Sequence, residues 1–328
     1  MFLQTWPPTG DGNPTNGISL DFRAFSHRKQ GEHDMFVKGG RPDYAFRGDY
    51  RLRAALGAIR PLRRLAEGLT ASSASLRRHQ ALTQMAQASP SQFPRLFELV
   101  RECSMRLDIP VPSLFIESSP VVNAYTIATD DRAPFVVLSA GCADTMSEDE
   151  LLFVLGHECG HVHNLHGVYN LMAVLAGEAA LLPAASLFAV FASLLSLIRQ
   201  GMSLGIAAWS RAAEITCDRA GAVCARDPNS PGTALAKLVA PLRTGRFGAV
   251  NPDDLVRQAR RAAHSVLRLE EAWHSHPVVG KRIIAVESFL RSDVFAARRP
   301  DIAPNGPRIA IDRVDAEVEA MLQTAYKL

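Results

Sequence analysis

Two histidines four residues apart, in His157-Glu158-Cys159-Gly160-His161, put the tightest constraint on this chain. On a helix that spacing sets both imidazoles on one face, where they can converge on a single cation. Glu158 then stands beside the ion and can take a proton from water, an arrangement suited to zinc-assisted hydrolysis. The flank supports a helix. Ser147-Glu148-Asp149-Glu150 offers a capping serine and a first turn of acids, and Leu151, Leu152, Val154 and Leu155 follow as an apolar face. Two histidines need a third protein ligand with one position left for water, so a distant segment must fold back onto this helix.

Two histidines close by, His163 and His166, fail as that ligand. The metzincin pattern wants glycine where this chain has Asn164 and histidine where it has Gly167. On a continued helix His166 points to a different face from His161, so both histidines are expected at the surface or supporting the ligands. Glu214 is the better candidate, within Ser210-Arg211-Ala212-Ala213-Glu214-Ile215-Thr216-Cys217-Asp218-Arg219-Ala220-Gly221. Glu214 and Asp218 share one helical face. The first can bind zinc while the second accepts a hydrogen bond from a ligand histidine and fixes its tautomer.

The 328 residues, 47% of them hydrophobic, suffice for a sizeable core. A net charge of +3 is too small to imply nucleic acid. The basic residues gather early, and Arg51, Arg53, Arg60, Arg63 and Arg64 crowd one expected helix as a solvated face. Five cysteines without a Cys-x-x-Cys pair suggest buried, reduced thiols in a reducing compartment. The N-terminus lacks a basic region followed by an apolar one, so no signal peptide is expected and the cytoplasm is the default.

Residues 1–48, rich in Gly, Pro and Asn without periodicity, are expected to form a poorly ordered leader. Helical patterns cover 51–69, 73–87 and 91–107. Short β-rich runs follow at Ser113–Glu117, Val121–Ala128 and Pro134–Ser139, the last two separated by a turn. The chain then looks helical nearly to 225, with further helices at 232–242, 252–272 and 277–291. A tail, 299–328, carries one short helix near 313–326. The class is α+β: mostly helical, with a small mixed sheet, over a main domain at 49–298.

Twenty uncharged, mostly apolar residues run from Ala179 to Ile198. Because His161 and Glu214 must meet, any membrane crossings between them must be even in number. Only 52 residues intervene, with Pro183 near the midpoint, so two full spans fit poorly. A long helical hairpin, apolar over about 171–198, is expected between the ligand helices. Its tip requires a membrane, another subunit or the rest of the fold to cover it.

Four blocks together resemble the gluzincin endopeptidases of the HtpX and CAAX-prenyl-protease group. These are Asn123-Ala124 in a strand, His157 to His161, Ser210 to Gly221, and His276-Pro277 with Arg282-Ile283. They occur in the family's order and span about residues 90–290; Val278-Val279-Gly280 departs from the family's usual loop. The resemblance implies a zincin-like fold, one Zn2+ held by His157, His161 and Glu214, and Glu158 as general base. It further implies that His276 donates to the oxyanion, that Arg282 orders that side of the site, and that Asn123 and Ala124 present a strand edge to an extended polypeptide substrate. Membrane helices in this interval of some members imply a membrane-associated protein. A different class, a zinc-binding holdase without catalysis, retains the same metal core; since every catalytic position is filled, the enzyme is favoured. An aminopeptidase is disfavoured, because its glutamate ligand lies about twenty residues downstream and no amine-binding motif is evident.

Overall fold

The computed structural model describes residues 41–57, 75–127, 134–167, 203–238, 251–263 and 279–323. Among these, the β-rich runs assemble into one four-stranded sheet of order β1-β2-β4-β3: β1 (Ala86–Gln87), β2 (Ser113–Glu117), β3 (Ala124–Ile127) and β4 (Phe135–Ser139). β2 and β4 run parallel, with Phe115 opposite Val137, whereas β1 and β3 pair antiparallel to their neighbours. The mixed sheet expected from the sequence is therefore present. Its central strand β4 is buried at every position, as Phe-Val-Val-Leu-Ser suits, and β3 forms one edge. Of the described part of the stretch expected to be helical over 73–87, residues 75–84 are helix; Ala86 and Gln87 leave it to add the short strand β1.

Besides 75–84, the helices among the described residues are α1 (Arg47–Gly57), α2 (Pro94–Leu107), α3 (Ala140–Thr145), α4 (Glu148–His163), α5 (Ser203–Cys224), α6 (Ser230–Lys237), α7 (Pro252–Ala263), α8 (Val279–Leu290), α9 (Asp293–Arg298) and α10 (Ile311–Gln323). α4 starts where its local signals require. Ser147 Oγ accepts from the Glu150 N–H at 3.3 Å, and Glu150 Oε2 accepts from the Ser147 N–H at 2.7 Å. This reciprocal cap satisfies two donors that a helix start leaves without partners. From Glu150 to His163 the helix is buried all round, between the sheet, α2, α5 and α6.

α5 lies along α4 at unusually short range because glycine faces it. A Cβ on Gly160 would stand 2.8 Å from Ala220 Cβ and 3.1 Å from Cys217 Cα; one on Gly156 would stand 2.5 Å from Cys224 Cβ. Only hydrogen fits at these two positions, four apart on one face, so the backbones can close together.

α4 ends in a Schellman turn. His166 N–H donates to the His161 carbonyl at 3.0 Å and Leu165 N–H to that of Val162 at 3.2 Å, with Leu165 at φ 54° where glycine is usual. The turn folds the chain back, and His163 and His166 are both buried. Of the two placements expected for them, surface or support of the ligands, burial removes the first, and His166 takes the second, 3.1 Å from His161 Nδ1.

Two further expectations are corrected. Residues 41–48 belong to no loose leader: Tyr44, Ala45 and Phe46 are buried, and the Tyr44 hydroxyl lies 2.7 Å from His163 Nδ1. Arg53, assigned to a solvated face, is buried instead and donates to the Asn164 carbonyl, satisfying an acceptor at the end of α4. At the other end, α10 joins the same layer. Its Asp315 pairs with Arg219 of α5 at 2.8 Å, and Glu319 takes two hydrogen bonds from Arg47 of α1. Residues 171–198 and His276 lie outside the described residues.

Candidate metal centre

The close packing of α4 and α5 brings three donors to one place. His157 Nε2 lies 3.7 Å from Glu214 Oε2, and His161 Nε2 lies 3.8 Å from Glu214 Oε1. Ligand bonds of about 2.1 Å in a tetrahedron separate donors by roughly 3.4 Å, close to each of these two distances. All three side chains are buried.

Cys217 also offers a donor. One nitrogen of each histidine and Cys217 Sγ lie within 4.8 Å of one another. The thiol, however, sits 3.5 Å from His166 Nδ1, on the ring that contacts His161 through its Nδ1. Burial pushes its pKa well above the usual thiol value, and the nearby Glu214 and Asp49 charges push it further. The Nε2 atoms of both histidines lie nearest the Glu214 carboxylate, so Glu214 and Cys217 both stand within reach of the pair.

Asp218 stands behind the centre. Its Oδ1 is 2.9 Å from His157 Nδ1, so the ring donates there and presents Nε2 to Glu214. Arg282 from α8 grips Asp218 in a two-pronged contact, Nε to Oδ2 at 2.8 Å and Nη2 to Oδ1 at 2.6 Å, and its Nη1 lies 3.0 Å from Glu214 Oε2. One cation thus balances two buried carboxylates. Burial disfavours a charged His157, but the Asp218 hydrogen bond and the Glu214 charge outweigh it and raise its pKa.

Glu158 turns toward the sheet. The Thr126 hydroxyl on edge strand β3 lies 2.7 Å from Glu158 Oε2 and 3.1 Å from its carbonyl. Burial lifts the Glu158 pKa above the ordinary carboxylate value; the His157 charge and the Thr126 hydrogen bond offset part of that rise. A buried carboxylate of raised pKa beside a metal centre is poised to accept and return a proton.

Asn123 precedes β3. Its N–H donates to Ser139 Oγ at 3.0 Å, and its carbonyl accepts from the Ser139 N–H at 3.0 Å. Ala124 begins the strand opposite Leu138. The outer edge of β3 has no strand partner among the described residues. Sequence reasoning missed Thr126, whose position in a β-rich run gave no sign that it reaches Glu158, and Asp49, which falls between the expected leader and the helix expected from residue 51.

A family model, peptidase family M48, matches residues 90–290. A plastoglobule-localized metallopeptidase 48 of Arabidopsis thaliana is 31% identical, over 62% of this chain and 59% of its own length. A protease HtpX homolog of Burkholderia lata is 26% identical, over 62% of this chain and 76% of the relative, and one from Burkholderia cenocepacia is 25% identical over the same shares. The chain thus spans less than two thirds of the plant relative and about three quarters of the bacterial ones. The matched stretch contains the helix pair, the sheet from β2 onward and the Arg282 brace. With the metal-helix motif, the acid segment and this match in agreement, the chain belongs to peptidase family M48, the HtpX-like metallopeptidases.

Proposed function

We propose that this protein is a zinc-dependent endopeptidase that cuts extended polypeptide. The observation that supports it most is the convergence of His157 Nε2, His161 Nε2 and the Glu214 carboxylate beside Glu158. Zinc, bound by these three residues, would polarise a carbonyl and make water acidic near neutral pH. Glu158 takes the proton from water on a carboxylate oxygen and passes it to the leaving amine. The Thr126 hydroxyl holds that carboxylate toward the sheet. Arg282 and Asp218 hold Glu214 and His157 in place. The open edge of β3, entered through Asn123 and Ala124, suits a substrate backbone added as a further strand. His276 remains the proposed oxyanion donor, on the strength of its sequence context alone.

A direct test compares cleavage of an unfolded protein by the unaltered chain and Glu158→Gln, with zinc measured in both. The amide cannot take a proton, so zinc should stay and cleavage should cease. Retained cleavage in the zinc-loaded variant would refute the role of Glu158; binding of the unfolded protein without any cleavage by the unaltered chain would support a holdase instead.

Among the described residues, no helix is long and apolar enough to cross a membrane. For the apolar run at 171–198 we propose association, with a lipid surface or a second copy of the chain. Glutamates at Leu187 and Phe191 should abolish liposome sedimentation in the first case and reduce particle mass in the second. A double variant unchanged in both would end the proposal.

A further inference from the structure

We propose that Asp49 and His166 are positioning residues of the metal centre: Asp49, acting through His166, fixes the tautomer of His161 and leaves its Nε2 bare for the ion. The inference rests on reading His157, His161 and Glu214 as the ligands. It extends the centre to a helix that lies before the stretch matched by the family.

The argument follows the protons. Asp49, on α1, is buried at 1% exposure. Its Oδ1 accepts from Trp209 Nε1 at 2.9 Å, and its Oδ2 accepts from the Thr216 hydroxyl at 2.8 Å. His166 Nε2 reaches the same Oδ2 at 3.1 Å. A carboxylate only accepts, so His166 Nε2 carries the proton. In a neutral ring Nδ1 is then bare. It faces His161 Nδ1 at 3.1 Å, and two bare nitrogens at that distance would repel, so His161 Nδ1 donates. The lone pair of His161 is left at Nε2, the atom that looks toward Glu214. Cys217 Sγ, 3.5 Å away, adds a weaker donor aimed at the lone pair of His166 Nδ1.

The two ligand histidines are thus set by two carboxylates on different elements. Asp218 addresses His157 directly at 2.9 Å from within α5. Asp49 addresses His161 through an intervening ring, because the Schellman turn at Leu165 inserts His166 between them. A doubly protonated His166 would reverse the chain, turning His161 Nδ1 into an acceptor and placing a proton on the Nε2 that the metal needs.

The test uses the full chain, labelled with 15N in its histidines and freed of metal. Long-range proton–nitrogen spectra at mildly alkaline pH should show His161 protonated at Nδ1; protonation at Nε2 overturns the proposal whatever any variant does. Zinc affinity, read by chelator competition, is the second arm. In Asp49→Asn the oxygen stays with the Trp209 donor and the amide nitrogen faces His166, which reverses the chain. Affinity should fall about 10–100-fold. His166→Phe should lose as much, and His166→Gln, whose carbonyl can accept from His161, should recover part. Unchanged affinity in Asp49→Asn and His166→Phe overturns the inference, while unchanged affinity in Glu214→Ala would instead strike the ligand assignment beneath it.

Discussion

Thr126 donates its hydroxyl proton to Glu158 across 2.7 Å, tying the open edge of the sheet to the acid of the metal helix. The Glu158 carbonyl, 3.1 Å away, competes for the same single proton. Thr126→Val keeps the shape of the strand and removes the donor. Turnover should drop about 3- to 10-fold, the worth of one modest hydrogen bond, with zinc content unchanged. Steady-state cleavage of a fluorogenic peptide measures it, and an unchanged rate would mean that Glu158 needs no such holder.

The rival third ligands separate cleanly. Glu214→Ala should lose zinc, whereas Cys217→Ser should keep it at one per chain, since both histidine Nε2 atoms lie nearest Glu214 and the thiol contacts His166 Nδ1. Metal analysis after dialysis against a weak chelator gives the answer. The reverse pattern would hand the site to Cys217.

Helix approach is the next lever. Gly160→Ala forces a methyl to 2.8 Å from Ala220 Cβ and 3.1 Å from a backbone carbon of α5. The helices must part, at about 1–3 kcal/mol of stability. Zinc should bind more weakly as well, because Glu214 rides on the displaced helix. Denaturant unfolding and chelator competition should therefore shift together; a stability loss with native zinc affinity would show that α5 moves without carrying Glu214.

Acid should act through Asp49. Burial alone would raise its pKa, but the His166 ring, Arg53 and the Thr216 hydroxyl hold it well below the usual carboxylate range. A depressed folded pKa adds stability above the unfolded value near ~3.9, and that stability drains as pH falls toward the folded value. The gap between the unaltered chain and Asp49→Asn should be full at neutral pH. It should narrow by about 1 kcal/mol between pH ~5 and pH ~3. Urea titrations of metal-free protein would reveal a pH-independent gap if the carboxylate is not the cause.

The metal helix was legible because its signals are local. Ser147 and Glu150 mark its start, and a four-residue spacing puts His157 with His161 and Glu214 with Asp218 whatever surrounds them. β2, β3 and β4 were legible from their β-branched and aromatic runs. Whether His166 lay at the surface or behind the ligands was left open, because Leu165 adopts a left-handed conformation without the glycine that would announce the turn. Asp49 and Thr126 stayed hidden for another reason. Their partners lie 117 and 32 residues away, and no periodicity encodes such a contact.

The burial of α1 has a consequence for what counts as a unit. The recognisable stretch begins at residue 90, yet Phe46 donates its N–H to Thr216, Asp49 holds Trp209 and Thr216, and Arg53 caps the end of α4. Hereditary boundary and mechanical boundary do not coincide. If Asp49 prepares the ligand histidine, docking of α1 and capture of zinc share one coupling free energy, and each must strengthen the other by the same factor. Any event that pries α1 loose would then unload the metal without touching a ligand, and metal scarcity would free the N-terminal segment in return.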